Sequence, residues 1–245
     1  MNKYKLAILF AMLFSFNATA ASVTTFMFTG VVNSITDKSS VLNGEVSVGT
    51  AFTGYFTYRY DPSIPEASSF SGDPTVAFYP VITDTRLDIG GLSIESTVSS
   101  GNTTQKVQIW DNKNSGWPHM DAFSVSSGLD YTPPFNLGSG KVTASYTASF
   151  WDTSGTLISS DILPSPEQIV MSNFDRNSFS FIGLNHDQYW AYQDGLATSY
   201  TSLHINGNIL TVQAIQTVPV PEASTYAMML AGLGLVATAV RRRRM

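Results

Sequence analysis

Ala51-Phe52-Thr53-Gly54-Tyr55-Phe56-Thr57-Tyr58-Arg59-Tyr60 is the stretch on which the fold turns. Phe52, Phe56, Tyr58 and Tyr60 fall at even spacing, with Thr53, Thr57 and Arg59 among the residues between them. Successive strand side chains point to opposite faces, so even spacing collects these rings on one side. Phe26 and Phe28 repeat the pattern upstream, with Val31 beyond them. No window between Ser22 and Val218 carries sustained helical periodicity. The alternation predicts strands at about Val23 to Ile35, Glu45 to Tyr60, Arg86 to Thr97, Lys106 to Asp111, Ala122 to Ser126 and Lys141 to Trp151. Three more are expected at Ser178 to Ile182, Ser199 to Ile205 and Asn208 to Ile215. Asn206-Gly207 is expected to close a hairpin, because Asn-Gly accepts positive φ at both central positions of a type I′ turn. Gly90-Gly91 is a second turn candidate. Pro62, Pro65, Pro74 and Pro80 mark one long loop, and Pro164 and Pro166 another, followed by a turn or two of helix near Glu167 to Asn173.

Many short strands with turn signals between them predict an all-β fold, a single antiparallel β-sandwich or jelly roll. No fixed-period repeat is present, which argues against a propeller or solenoid. Linker-like composition appears only near Gln216 to Ser224, so one ectodomain is expected over residues 21–217.

Only 13% of the 245 residues are charged, while 43% are apolar and 12% aromatic. That is enough apolar material for a sizeable core and excludes a wholly disordered chain. The net charge of −5 excludes a nucleic-acid binder built on overall basicity. It also hides an asymmetry: Ser22 to Val218 holds seven basic and seventeen acidic residues, a net of −10, while Lys3 and Lys5 open the chain and Arg241 to Arg244 nearly close it. With no cysteine there is no disulfide scaffold, no Cys-ligated metal, no thiol nucleophile and no N-terminal lipid-bearing Cys.

The N-terminus has the order of a secretory signal peptide: Lys3 and Lys5, an apolar run from Leu6 to Phe16, then Asn17-Ala18-Thr19-Ala20 with small residues at −3 and −1. Cleavage is expected after Ala20, with Ala21 the next choice. The run is too short for a membrane span, which needs about 20 residues.

The last 28 residues have three parts. Val218 to Pro221 with Glu222 is Pro-rich, Tyr226 to Val240 is apolar, and Arg241, Arg242, Arg243 and Arg244 follow. The apolar stretch is about 22 Å long as a helix, against a bilayer core of about 30 Å. Snorkelling arginine stems, and Ala223 to Thr225 entering the interface, meet the deficit. The arginines fix the C-terminus in the cytoplasm, so the domain before the span faces outwards.

This tail resembles the PEP-CTERM sorting signal of Gram-negative bacteria. Pro221 and Glu222 match its first two positions, Ala223 stands where the second proline usually does, and Ser224, Thr225 and Tyr226 match the usual continuation; Val220 precedes the motif. The resemblance implies recognition by an exosortase, a membrane-embedded transpeptidase-like enzyme that cuts near the motif during export. It also implies an inner-membrane precursor, then a place at the cell surface or in an exopolysaccharide, biofilm or floc matrix. The middle of the chain is similar to a recurrent ectodomain of such proteins. The carrying features are Phe28-Thr29-Gly30-Val31-Val32, Gly44, Val48-Gly49, Phe52-Thr53-Gly54, Tyr58 to Asp61, Ile89-Gly90-Gly91 and Asp161-Ile162-Leu163-Pro164. That ectodomain brings no activity with it.

Catalytic chemistry has little support. Glycoside hydrolysis needs two facing carboxylates, and Asp84 with Asp88, or Asp121 with Asp130, are the pairs that could meet. His119, His186 and His204 have no metal-ligand spacing. His186-Asp187 beside Tyr189-Trp190 is the most site-like grouping, yet no Gly-x-Ser-x-Gly elbow accompanies it. Asp111 to Gly116 faintly resembles a calcium loop, with Lys113 where the third-place oxygen belongs. We therefore expect no catalytic residues, no metal and no cofactor. Among the tryptophans, Trp151 ends an alternating strand and is expected in the core. Trp117 and Trp190 are the candidate carbohydrate platforms, with Asp111, Asn112, Asn114, Asp187 and Gln188 as polar neighbours. The leading expectation is a non-enzymatic, exosortase-processed matrix protein. The alternatives are a carbohydrate-binding module or a carbohydrate-active enzyme on the same β framework.

Overall fold

The computed structural model describes residues 21–38, 40, 42–64, 68–69, 75–97, 106–111, 120–129, 142–158, 162–185, 193–195 and 202–219. Residues 1–20, expected to be a signal peptide, the expected sorting tail from Val220, and Trp117, Trp190, His119 and His186 lie outside the described residues. Ser22 to Val218 forms one compact unit.

Among the described residues there are eleven strands: β1 (Ser22–Asp37), β2 (Ala51–Tyr60), β3 (Ser68–Ser69), β4 (Val76–Tyr79), β5 (Ile82–Ile89), β6 (Leu92–Thr97), β7 (Lys106–Trp110), β8 (Asp121–Leu129), β9 (Val142–Asp152), β10 (Arg176–Asn185) and β11 (Ser202–Pro219). They make one sheet in the order β3-β4-β7-β8-β9-β10-β11-β1-β2-β5-β6. The all-β expectation holds. Hydrogen bonding does not divide the strands into the two sheets that a sandwich implies: a single ladder runs through all of them. Its halves meet all the same. Phe56 on β2 lies 6.2 Å from Phe123 on β8, and Thr85 on β5 donates to Ser127 on β8 at 3.0 Å. Strands β9, β10, β11 and β1 separate β2 from β8 along the ladder. The sheet therefore curls over, and the apolar core is what it encloses. The two longest strands, β1 and β11, stand side by side in the bend.

The core is aromatic. Phe26, Phe28, Phe56, Tyr58, Phe123, Tyr146, Phe150, Phe179 and Phe181 are all fully buried. Two copies of Phe-Thr-Gly set the geometry at its centre. Antiparallel pairing places Phe28 opposite Gly54 and Gly30 opposite Phe52, with Thr29 facing Thr53 between them. Each ring lies over the glycine across from it: a methyl group on Gly54 would overlap the Phe28 ring, and one on Gly30 the Phe52 ring. Phe52 reaches further, to within 2.5 Å of where a Gly207 methyl would stand on β11. The rings of Phe28 and Phe52 meet edge-on at 6.3 Å.

Gly207 also corrects the expected hairpin. Asn206 and Gly207 lie inside β11, extended and without positive φ. Two constraints hold them there. A side chain at 207 would press on the Val31 carbonyl at 2.8 Å, and the neighbouring amides reach to β1: Asn206 Nδ2 donates to Ser34 Oγ at 3.1 Å, and Asn33 Nδ2 to Asn208 Oδ1 at 2.9 Å. The Asn-Gly pair that does turn is Asn43-Gly44, with φ of 47° and 84° and a Glu45 N–H donating to the Leu42 carbonyl at 2.8 Å. Residues Leu42 to Thr50 are accordingly a turn-rich loop, where a strand was expected from Glu45. Leu42 and Val46 of this loop are buried against the core. Gly90-Gly91, with φ of 57° and 87°, joins β5 to β6 as a two-residue hairpin, so the expected single strand from Arg86 to Thr97 is two. β4 was not anticipated: all four of its residues are buried, and a strand covered on both faces shows no alternation. The helical turns after Pro164 are two 3-10 turns, Pro166–Gln168 and Met171–Asn173.

Because the Gly54 site has no room, Gly54→Ala should cost about 1–3 kcal/mol, the usual range for overpacking. Phe28→Leu in the same background should recover part of that loss. Denaturant melts of the two single variants and the double variant check this; strictly additive losses would mean the ring and the glycine are not coupled.

Candidate functional site

The densest polar geometry lies where β8 begins and β9 ends. Asp121 and Asp152 are directly opposed across the two strands, and both are buried. Asp152 organises the loop that follows it. Its Oδ1 accepts from the Ser154 N–H at 2.9 Å and the Ser154 hydroxyl at 2.6 Å. Its Oδ2 accepts from the N–H groups of Thr156 at 3.0 Å and Leu157 at 2.9 Å. Asp121 Oδ2 accepts from the Ile158 N–H at 2.7 Å, and Asp175 accepts from the Thr153 N–H and hydroxyl. The cluster thus anchors the backbone of Thr153 to Ile158. Burial pushes the Asp152 carboxyl up, but the donors from Ser154, Thr156 and Leu157 outweigh it and hold the group below its ordinary value.

This arrangement answers part of the acid-pair expectation. Asp121 serves as a backbone acceptor, and Asp130 lies outside the described residues. The other pair, Asp84 and Asp88, sits on one strand four residues apart, about 13 Å by strand rise. That exceeds both separations used in glycoside hydrolysis. Arg86 stands between them and donates from Nε to both oxygens of Asp88 at 2.9 and 3.1 Å, with Glu95 3.3 Å from its other arm. These groups form an exposed, solvent-screened triad. His204 is half-buried in β11, opposite Ile182. Among the described residues no three His, Cys, Asp or Glu gather as a metal site. Of the calcium-like loop only Asp111 is described, and its N–H donates to the Thr75 carbonyl at 2.9 Å.

The tryptophans arrange themselves differently from expectation. Trp151 is not in the core. Ala148 and Phe150 are fully buried, and Trp151 is half-buried on the outer face of β9. Cross-strand pairing sets a row on that face: Val76, Trp110, Ala122, Trp151 and Arg176, on β4, β7, β8, β9 and β10 in turn. Trp110 and Trp151 meet edge to face at 4.9 Å and 84° above Ala122. The adjoining row is hydroxylated, with Ser124 donating to Ser149 at 2.9 Å. The row after it carries Lys106, whose ammonium lies 4.2 Å from the Phe78 ring centre. The Trp110–Trp151 pair has no signature in the chain, because the two residues meet through register across β8 and not through spacing. Trp117 and Trp190, the residues that the sequence favours, lie outside the described residues.

Asp152 has a depressed folded value, so its contribution to stability is present above the ordinary carboxylate value near 3.8 and is lost as pH falls through the lower folded one. Asp152→Asn should lower stability at pH 7 by about 1–3 kcal/mol, as buried donors lose a charged acceptor. The gap between wild type and variant should narrow below pH 3.8. Denaturant midpoints measured from pH 7 to pH 2 test this, and a gap constant with pH would remove the carboxylate charge from the account.

The C-terminal boundary of the fold meets the chain's sorting information. β11 ends at Pro219, and the family model of the PEP-CTERM protein-sorting motif matches residues 219–244. No curated protein and no solved structure matches the chain. The match covers the Pro-Glu pair, the apolar stretch and the arginine cluster. The chain carries a match to the PEP-CTERM protein-sorting motif that begins at the last residue of its all-β domain.

Proposed function

We propose that the chain is exported and handed to an exosortase, and that its ectodomain then acts without catalysis in or on the extracellular polymer matrix. The observation that carries this reading is the sorting-motif match at residues 219–244, placed immediately after the last strand. Residues 1–20 serve as the cleaved signal. Tyr226 to Val240 spans the inner membrane in the precursor, and Arg241 to Arg244 hold its C-terminus in the cytoplasm. The curled sheet does the work of a sandwich, with two halves packed over one core. Support for a non-enzymatic role comes from the aspartates: Asp121, Asp152, Asp175, Asp61 and Asp88 are engaged by backbone, hydroxyl or guanidinium donors.

The secreted form should lack Met1 to Ala20 and Arg241 to Arg244 when weighed by intact-mass spectrometry; a mature extracellular chain that keeps the arginines would sink the reading. Glu222→Ala should trap the precursor in the inner membrane with its hydrophobic stretch intact. Ala223→Pro should be neutral or improve processing.

A second reading is favoured by the Trp110–Trp151 pair: a carbohydrate-binding module that uses these two half-buried indoles. With a net charge of −10 over Ser22 to Val218, neutral or cationic polymers should be preferred at low salt. Stacking on indole should survive added salt. Single Ala replacements of Trp110, Trp151, Trp117 and Trp190 should be compared in polysaccharide pull-downs and thermal melts. Weakened binding with normal melting supports a platform, whereas a loss of about 3–5 kcal/mol assigns that indole to packing.

A further inference from the structure

β11 has two neighbours along only part of its length. β10 pairs with it from Ser202 to Asn208, where the register ends at Ser178. Arg176 and Asn177 of β10 continue against β9 and not against β11. Beyond Asn208, β11 keeps β1: Thr29 and Thr211 share a hydrogen bond at 2.7 Å, and Thr24 and Thr217 one at 3.2 Å. Among the described residues, Ile209 to Pro219 is therefore strand on one side and open edge on the other. Of these residues only Ile209 and Val212 are buried.

Three properties set this edge apart. It is eleven residues long, whereas the strands at the outer limits of the sheet, β3 and β6, have two and six. It contains no charged residue, and its only proline is the last position. It bears Leu210, Ile215 and Val218, three of the exposed large apolar side chains. Long, flat, uncharged edges are what soluble proteins normally avoid, by shortening them or by placing lysine or proline on them. Here that protection is missing on the segment whose final residue is the first residue of the matched sorting motif.

We propose that the free edge of β11, Ile209 to Pro219, is a docking strand for the membrane enzyme that reads the sorting motif, which adds an extended segment of its own to this edge. The proposal rests on the reading of the tail as an exosortase substrate and deepens it. Strand addition takes affinity from main-chain hydrogen bonds and specificity from side chains along the strand, and the exposed apolar ones here are Leu210, Ile215 and Val218. Continuity decides the occupant. An enzyme bound at Pro221-Glu222 has this edge within two residues of its site, on the same chain direction. Docking there raises the local concentration of the motif without a new recognition sequence.

The test uses the full-length precursor in a host that processes it. Gln213→Lys with Ile215→Lys charges the edge at two exposed positions, and Val48→Lys places the same charge on an exposed loop residue as control. The purified mature forms of both variants should melt within about 2 °C of wild type, since exposed substitutions cost little. Conversion of precursor to mature form should slow about tenfold in the edge variant, corresponding to about 1.4 kcal/mol of lost binding. The Val48 variant should process normally. Equal processing of wild type and edge variant overturns the docking strand while leaving the sorting signal in place. A wild-type precursor that is never cleaved overturns both. If the edge variant processes normally but abolishes a concentration-dependent dimer of the mature protein, the occupant is a second copy of this chain, and the proposal is wrong in its partner.

Discussion

The closeness of three backbones beneath two phenylalanine rings is the constraint on which this fold depends. Phe28 and Phe52 occupy volume that side chains at 54, 30 and 207 would otherwise fill, so β1, β2 and β11 can pack only with glycine at those places. The reciprocal Phe-Thr-Gly pair also fixes register. A slip of one residue would turn both rings outwards and bring Thr29 and Thr53 into the core. From this centre the aromatic contacts spread to β10 through Phe179, 4.7 Å from Phe52, and to β8 through Phe56 and Phe123. The bend of the sheet follows, because rings on the concave face must be enclosed from both sides.

Polar groups inside that enclosure are few, and the buried phenols are matched. Tyr58 donates to the Pro164 carbonyl at 2.6 Å, tying the loop after β9 to β2, and Tyr146 donates to the Tyr55 carbonyl at 3.1 Å. Burial pushes both phenols well above their ordinary value, so each keeps its proton and remains a donor. The carboxylates work at the rim, where Asp121, Asp152 and Asp175 satisfy loop N–H groups that no strand can reach. A domain without disulfides is thus closed at its ends by side-chain acceptors and held in the middle by aromatic packing.

Strand chemistry was legible in the sequence because the curled sheet has one dry face, and a dry face imposes alternation on β1, β2 and β7. It failed where burial is two-sided, as in β4, and where one local signal occurs twice. Asn43-Gly44 and Asn206-Gly207 are the same dipeptide. The first closes a turn and the second lies flat, because Phe52 and the Val31 carbonyl occupy the space above Gly207. That information is held on other strands and cannot be read from four adjacent residues. The Trp110–Trp151 pair was hidden for the same reason, as its partners are joined by register through Ala122. The sorting tail was legible because it is read by linear order alone.

The pairing of β1 with the far half of β11 also has a mechanical meaning. As β1 runs from Thr24 to Thr29, its partners on β11 run back from Thr217 to Thr211, so β1 starts where β11 stops. A pull on the C-terminus against the body of the domain therefore loads this ladder as a zipper, with bonds broken one after another from Thr217 inwards. Strands with their ends at opposite poles would be loaded in shear, with many bonds resisting together. Under such a pull the domain yields gradually from the end of β11 that leads into the matched motif, and the enclosed rings of Phe28 and Phe52 form the stop at which peeling meets the core.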